Sequence, residues 1–359
     1  MNIVDRAREA VQGAVLSVMK KAVEIAPERM LPGGRPDPLL ADGHVDGHVG
    51  KPVSRLDGPA KVRGAALYAA EFAMSGMTYA ALAYSTIPKG RIARIDAAAA
   101  EAAPGVVLVM THVNAPRLKP MPRFLSGGKA AGGDDLPVMQ DDRVHWNGQP
   151  VALVLAETQE QADHAQSLIR VDYEAEAAAT SLAAARAGGV ETAVFQGEKL
   201  LDELGDARAA LAAAEHVVDA VYRTPRNSHN AMELHAATVA WQGDTLLVHD
   251  ATQAVAHTAW SIAQVFGLDE VQVRVTSPYV GGGFGGKTLW QHQILAAAAA
   301  RTAGRPVRIR LSREGVYRMV GGRAPTEQRV ALGAAADGRL TALIHEGLTP
   351  MTPHSAMPE

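Results

Sequence analysis

Ser277-Pro-Tyr-Val-Gly-Gly-Gly-Phe-Gly-Gly-Lys-Thr288 is the most informative stretch of this 359-residue chain. Five of the six positions from Gly281 to Gly286 are glycine, so side chains are stripped from the backbone and positive φ is allowed. Successive N–H groups of such a run can converge on an anion or an oxo group. Before it, Val271–Val275 alternates as a strand; after it, Leu289–Ala303 is an alanine-rich helix stopped by Gly304 and Pro306.

Gly281–Thr288 also satisfies the phosphate-loop pattern G-x-x-x-x-G-K-[ST], between a strand and a helix. A nucleotide site of that kind needs an acidic residue at a neighbouring strand end to hold magnesium. The strand after the helix, Val307–Leu311, ends in Ser312-Arg313 instead, and Asp250, which does end a strand, precedes the loop. On pattern alone, nucleotide binding and a purely structural glycine loop both stay open.

Upstream of the loop, Ala236–Trp241 and Thr245–His249 flank Gln242-Gly243-Asp244, a hairpin signal. Ala254–Phe266 reads as a helix ended by Gly267, and Asp206 as the N-cap of a short helix. His216–Tyr222, Gln328–Leu332 and Leu340–His345 read as further strands. Nearer the N-terminus, Thr78–Ser85 and Gly105–Thr111 read as strands around a short helix at Asp96–Ala103. Pro116–Asp135 reads as a mobile loop. Val151–Ala156 is a continuous apolar run expected of a buried strand, and Thr158 with Gln161 forms a capping box for the helix that follows. Three regions result: an amphipathic helix and linker at 1–50, an α/β unit at 51–180 and a second unit at 190–359. Within the linker, Asp42–Val49 holds two His and two Asp, but its glycines leave no rigid scaffold for a metal.

The formal net charge of −3 argues against non-specific nucleic-acid binding, which needs a basic surface. With no cysteine, the chain holds no disulfide and no thiolate-ligated iron–sulfur cluster. No apolar run is long enough for a membrane span, and Met1–Ile25 is too charged for a signal peptide.

Gly281–Lys287 resembles the signature loop of the molybdenum hydroxylases, the xanthine dehydrogenase/aldehyde oxidoreductase family. Thr252-Gln253 lies upstream at the matching distance. Met232-Glu233 resembles the family's Met-Glu-Pro stretch, with Leu234 in place of proline. Arg55–Gly64, Pro88–Ile95, Ala103–Val107 and His145–Glu157 resemble successive parts of its α/β hammerhead domain. The match spans roughly residues 50 to 350 and is nearest to bacterial periplasmic-type aldehyde oxidoreductases. The implied fold class is α+β: a hammerhead domain followed by the first, incomplete part of a molybdopterin-binding domain.

The resemblance implies a molybdenum–molybdopterin cofactor, in cytosine dinucleotide form. Gln253 and the loop Gly282, Gly283, Phe284, Gly285 and Gly286 are its expected contacts, with the amides of Phe284 and Gly285 beside the oxo ligand. No side chain here is expected to ligate the metal. Phe284 and Thr288 are the expected substrate-pocket residues. The implied substrate is a small aldehyde or an N-heterocycle such as xanthine; purine-oxidising relatives place an acidic residue where Thr288 stands, so aldehydes, aromatic ones first, are expected over xanthine. The implied reaction is hydroxylation with water as oxygen donor. Its electrons would pass to iron–sulfur (2Fe-2S) and FAD partner subunits in a heterotrimer, in the cytoplasm or exported to the periplasm on a partner. No catalytic residue is expected in this half: the general-base Glu is expected beyond residue 359. A truncated, non-catalytic interaction module is the further alternative.

Overall fold

A computed structural model describes residues 54–355, apart from 125, 137, 190–193, 196–197 and 353. The expected N-terminal helix and the Asp42–Val49 segment lie outside the described residues. The strands are β1 (Thr78–Tyr84), β2 (Gly90–Asp96), β3 (Val106–Thr111), β4 (Arg143–Val144), β5 (Pro150–Ala156), β6 (Arg170–Ala175), β7 (Val194–Phe195), β8 (Glu198–Lys199), β9 (His216–Thr224), β10 (Ala236–Gln242), β11 (Thr245–Asp250), β12 (Val273–Thr276), β13 (Val307–Arg310), β14 (Thr326–Ala334) and β15 (Leu340–Leu348).

Seven of them form one mixed sheet in the order β12-β11-β10-β13-β1-β5-β3. It draws three strands from 51–180 and four from 190–359. The two sets join where β1 pairs in parallel with β13, Thr78 opposite Val307. Smaller sheets, β4-β2-β6 and β15-β14-β9, stand apart from it. The fold is thus mixed α/β with antiparallel and parallel pairs, the class expected from the sequence.

The apolar run of β5 follows from its place inside the sheet, between β1 and the edge strand β3, with a core on each face. Leu153 and Leu155 enter one core, with Ile294, Leu295 and Ile309. Ala152 and Val154 point the other way, into a core with Val109, Ala165 and Ile169. A strand buried on both faces has no polar side to show as alternation. Each fully buried leucine contributes roughly 1.5–3 kcal/mol by leaving water.

Local signals act as expected. Thr158 accepts from the Gln161 N–H while Gln161 reaches back to the Thr158 N–H, closing the box on the helix Gln159–Leu168. Asp206 caps the helix Ala207–Ala212. Gly267, at φ 67°, ends the helix Val255–Phe266 in the left-handed region.

One expectation changes. Segment 116–135 is irregular, but its described part is no free surface loop. Met121, Ala130 and Ala131 are buried. The Ala131 N–H donates to Ser261 Oγ, and Leu289 pairs its N–H with the Ala131 carbonyl. Two of its glycines serve close packing: a Cβ would lie 2.5 Å from the Pro122 carbonyl oxygen at Gly132 and 2.4 Å from the Trp290 ring at Gly133.

Candidate functional site

The glycine loop leaves the end of β12 and returns to the helix Gln291–Ala303. Two neighbours brace it, each at a strand end in the central sheet. Gln253 follows β11 and Glu233 precedes β10.

Gln253 is hooked to the far end of the loop. Its N–H donates to the Lys287 carbonyl at 2.9 Å. Its Oε1 accepts from the Gly285 N–H at 3.2 Å and the Lys287 N–H at 3.4 Å. Thr252 Oγ1 donates to the same Lys287 carbonyl. With Oε1 so occupied, the Gln253 Nε2 group is left as a donor with no protein partner among the described residues. The Phe284 N–H is in the same position, whereas the Gly285 N–H, expected to face a cofactor, is turned onto Gln253.

Glu233 braces the near end. Its Oε2 accepts both the Gly281 N–H at 2.6 Å and the Lys287 ammonium at 2.5 Å. Lys287 is fully buried and the Glu233 side chain is 14% exposed. This placement removes the phosphate-loop reading. A phosphate-binding lysine must reach out to its ligand at the start of a helix. Here Lys287 points inward to a carboxylate, and the helix begins only at Gln291.

Close approach explains the glycines. A Cβ would lie 2.5 Å from Glu233 Cβ at Gly281, 2.2 Å from Gln253 Oε1 at Gly283 and 2.6 Å from His229 Nδ1 at Gly286. Gly282 and Gly285 have φ of 94° and 96°. Between them Phe284 has φ 55° and is 62% exposed. A non-glycine in the left-handed region costs about 1–2 kcal/mol, so this phenylalanine is presented outward at the expense of backbone strain. Thr288 is half-buried, and its carbonyl accepts from Gln293 Nε2. The structure therefore brings Gln253 and Gly282–Gly286 together in one braced loop, with Phe284 exposed on it.

Against the inner side of the loop lies a buried polar group whose members carry no motif. His235 Nε2 meets the Gly286 carbonyl at 2.9 Å, so that nitrogen bears the proton of a neutral ring. Burial lowers its pKa to about 4. Burial also lowers His292 well below the usual histidine range, and neither of its ring nitrogens has a partner. Burial pushes Asp250 up to about 7, against the opposing pull of Gln293. His229, against Gly286, is equally invisible in the sequence; only its proximity to Met232-Glu233 hints at it.

The loop leaves the Phe284 N–H and Gln253 Nε2 as donors, and it packs too closely on Glu233, Gln253 and His229 to admit a side chain at Gly281, Gly283 or Gly286. Among the described residues no group of three or more His, Asp or Glu could hold a metal ion. The donor set suits a group that brings its own metal ligands and asks the protein only for hydrogen bonds. Fold and site together define a donor-bearing glycine loop braced at two strand ends of a mixed sheet.

Comparison with known proteins gives the family. A molybdopterin cofactor-binding domain matches residues 183–357, and the a/b hammerhead domain of aldehyde oxidase and xanthine dehydrogenase matches 63–177. The chain is 36% identical to the aldehyde oxidoreductase molybdenum-binding subunit PaoC of Escherichia coli K12, over 83% of this chain and 39% of PaoC. It is 30% identical to the nicotinate dehydrogenase large molybdopterin subunit of Eubacterium barkeri, over 82% of this chain and 68% of that one. The aldehyde oxidoreductase structure from Desulfovibrio gigas superposes with a TM-score of 0.71 at 27% identity, over 82% of this chain and 34% of that one. The chain belongs to the xanthine dehydrogenase/aldehyde oxidoreductase family of molybdenum hydroxylases. It spans less than half the length of PaoC.

Proposed function

We propose that this chain forms the first part of the molybdenum-cofactor-binding subunit of an aldehyde-oxidising hydroxylase. The observation that carries this reading is the braced loop, in which Gln253 fixes the Gly285 and Lys287 amides and keeps its own Nε2 as a donor. Gln253 and the 282–286 loop would hold the cofactor, in its cytosine dinucleotide form, through hydrogen bonds. Fixed donors of this kind orient a ligand and tune its metal without coordinating it. When bound, the molybdenum centre supplies two-electron oxidation with oxygen taken from water.

This chain's own residues then bind and orient. Phe284 offers an aromatic face at the rim, which suits a flat, apolar aldehyde. Thr288 offers no carboxylate with which to pair a purine. The general-base Glu and most pterin contacts are assigned to chain outside residues 1–359. Iron–sulfur and FAD partner subunits would take the electrons, in the cytoplasm or, after co-export, the periplasm. No helix among the described residues is long and apolar enough to cross a membrane.

The test is to produce the full gene product with its partner chains in a host that makes the cofactor. Molybdenum bound to the subunit, with faster turnover of benzaldehyde than of xanthine, is the expected result. Magnesium-dependent ATP binding in place of molybdenum would reverse the reading.

A further inference from the structure

Lys287 is the largest fully buried side chain of the described residues. Burying an ammonium is costly unless a counter-charge and good geometry offset it. The carboxylate that meets it uses one oxygen for two donors. Glu233 Oε2 takes the Lys287 ammonium and the Gly281 N–H, while Glu233 Oε1 is buried without a partner. Those two donors stand at opposite ends of the loop: Gly281 opens it and Lys287 follows its last glycine. One oxygen atom therefore ties the two ends of the loop together. On the opposite side Gln253 ties Gly285 to Lys287.

We propose that Glu233 and Lys287 are a positioning pair, whose shared hydrogen-bonding oxygen sets the direction of the loop amides presented to the cofactor. This rests on the cofactor-binding reading above. Buried as it is, the pair acts through the 281–286 backbone. An apolar pair could fill the same space, but it could not hold the Gly281 N–H and close the loop. That difference separates positioning from mere packing.

The experiment compares K287M, E233Q and the double variant E233L/K287M in the full-length subunit with its partner chains. It reads amide hydrogen exchange across residues 281–287, molybdenum per chain and the midpoint of thermal unfolding. In both single variants the loop amides are expected to exchange faster by about tenfold, the scale of one lost hydrogen bond to a charged group. Replacing both members of a buried pair by apolar side chains commonly recovers stability. The double variant is therefore expected to regain the wild-type midpoint, yet keep fast loop exchange and reduced molybdenum. Return of exchange and molybdenum to wild-type values in the double variant would overturn the proposal, as would unchanged exchange in the single variants. E233Q is isosteric and decides the matter if the methionine variants fail to fold. Exchange is read with or without metal. A wild type that loads no molybdenum therefore counts against the cofactor reading, while the clamp is still judged on exchange.

Discussion

Gln253 Oε1 occupies the space that a methyl group on Gly283 would fill, 2.2 Å from the ideal Cβ position. The glycine is needed there for room: the loop passes so close to the amide that only a hydrogen fits. What would have to move is the far end of a flexible side chain, not backbone.

Gly283→Ala should therefore leave the fold nearly intact and expel the Gln253 amide from its bonds to Gly285 and Lys287. Molybdenum per chain should fall severalfold with a nearly unchanged unfolding midpoint. Gly281→Ala should behave differently, because its Cβ would meet Glu233 Cβ, close to the main chain. Overpacking of that kind costs about 1–3 kcal/mol, so its midpoint should drop as well. Equal stability loss in both variants would show that Gln253 cannot yield as the geometry requires.

Signals that act over a few residues are legible in the sequence: the Thr158–Gln161 box, the Asp206 cap and the left-handed Gly267. So is the loop, because glycines in such density have few other uses. The joining of β1 to β13 is not legible. Thr78 and Val307 face each other across most of the chain, and neither strand carries a mark of its partner. The lysine of the loop misleads for a related reason. Lys287 fits the phosphate-loop pattern, and only the carboxylate of Glu233, brought in from another strand end, turns it inward. His235 and His292 escape notice, and Asp250 shows only as an acid at a strand end, because a buried titratable group shows itself only by its surroundings. In sequence each is one more polar residue beside a strand or helix.

The capping box provides a control whose outcome should be dull at the site. Thr158→Ala removes the acceptor for the Gln161 N–H at the start of a helix remote from the loop in sequence. Stability should fall by about 1 kcal/mol, read from the urea midpoint. Molybdenum content should be unchanged. A loss of metal in this variant would mean that metal retention tracks global stability, which would weaken every inference from loop variants.

Asp250 makes a pH-dependent prediction whose sign can be worked out. Its pKa rises from an ordinary 3.8 to about 7 on folding, because burial disfavours the carboxylate. The folded state thus holds a proton that the unfolded state releases. The stability this group contributes is complete below about pH 4 and is lost as pH rises towards 7. His235 acts in the opposite sense, since its pKa falls from 6.5 to about 4. Its contribution is present above pH 6.5 and is lost as pH falls through 4. His292, also lowered, adds to the histidine side. Asp250→Asn keeps an acceptor for Gln293 and removes only the acid. Relative to wild type, its urea midpoint should climb steadily from about pH 4 to about 7 and then level off. A constant difference across that range would mean that Asp250 does not hold its proton in the folded protein.

Thr288 tests the substrate side of the proposal. It follows Lys287 directly, so its main chain is fixed by the Gln253 and Gln293 bonds on either side. A carboxylate placed there could accept from an N–H of a purine ring, which no hydroxybenzyl or alkyl aldehyde offers. A hydrogen bond to a charged group is worth about 1.5–3 kcal/mol, or roughly 10- to 100-fold in kcat/KM. Thr288→Glu should raise the ratio of xanthine to benzaldehyde turnover by about that factor, at unchanged molybdenum content. Part of the gain should come from slower benzaldehyde oxidation, because a charge in an apolar approach disfavours an uncharged, flat substrate. An unaltered ratio in a fully loaded variant would place Thr288 outside the pocket and leave Phe284 as the only pocket residue assigned from this part of the chain.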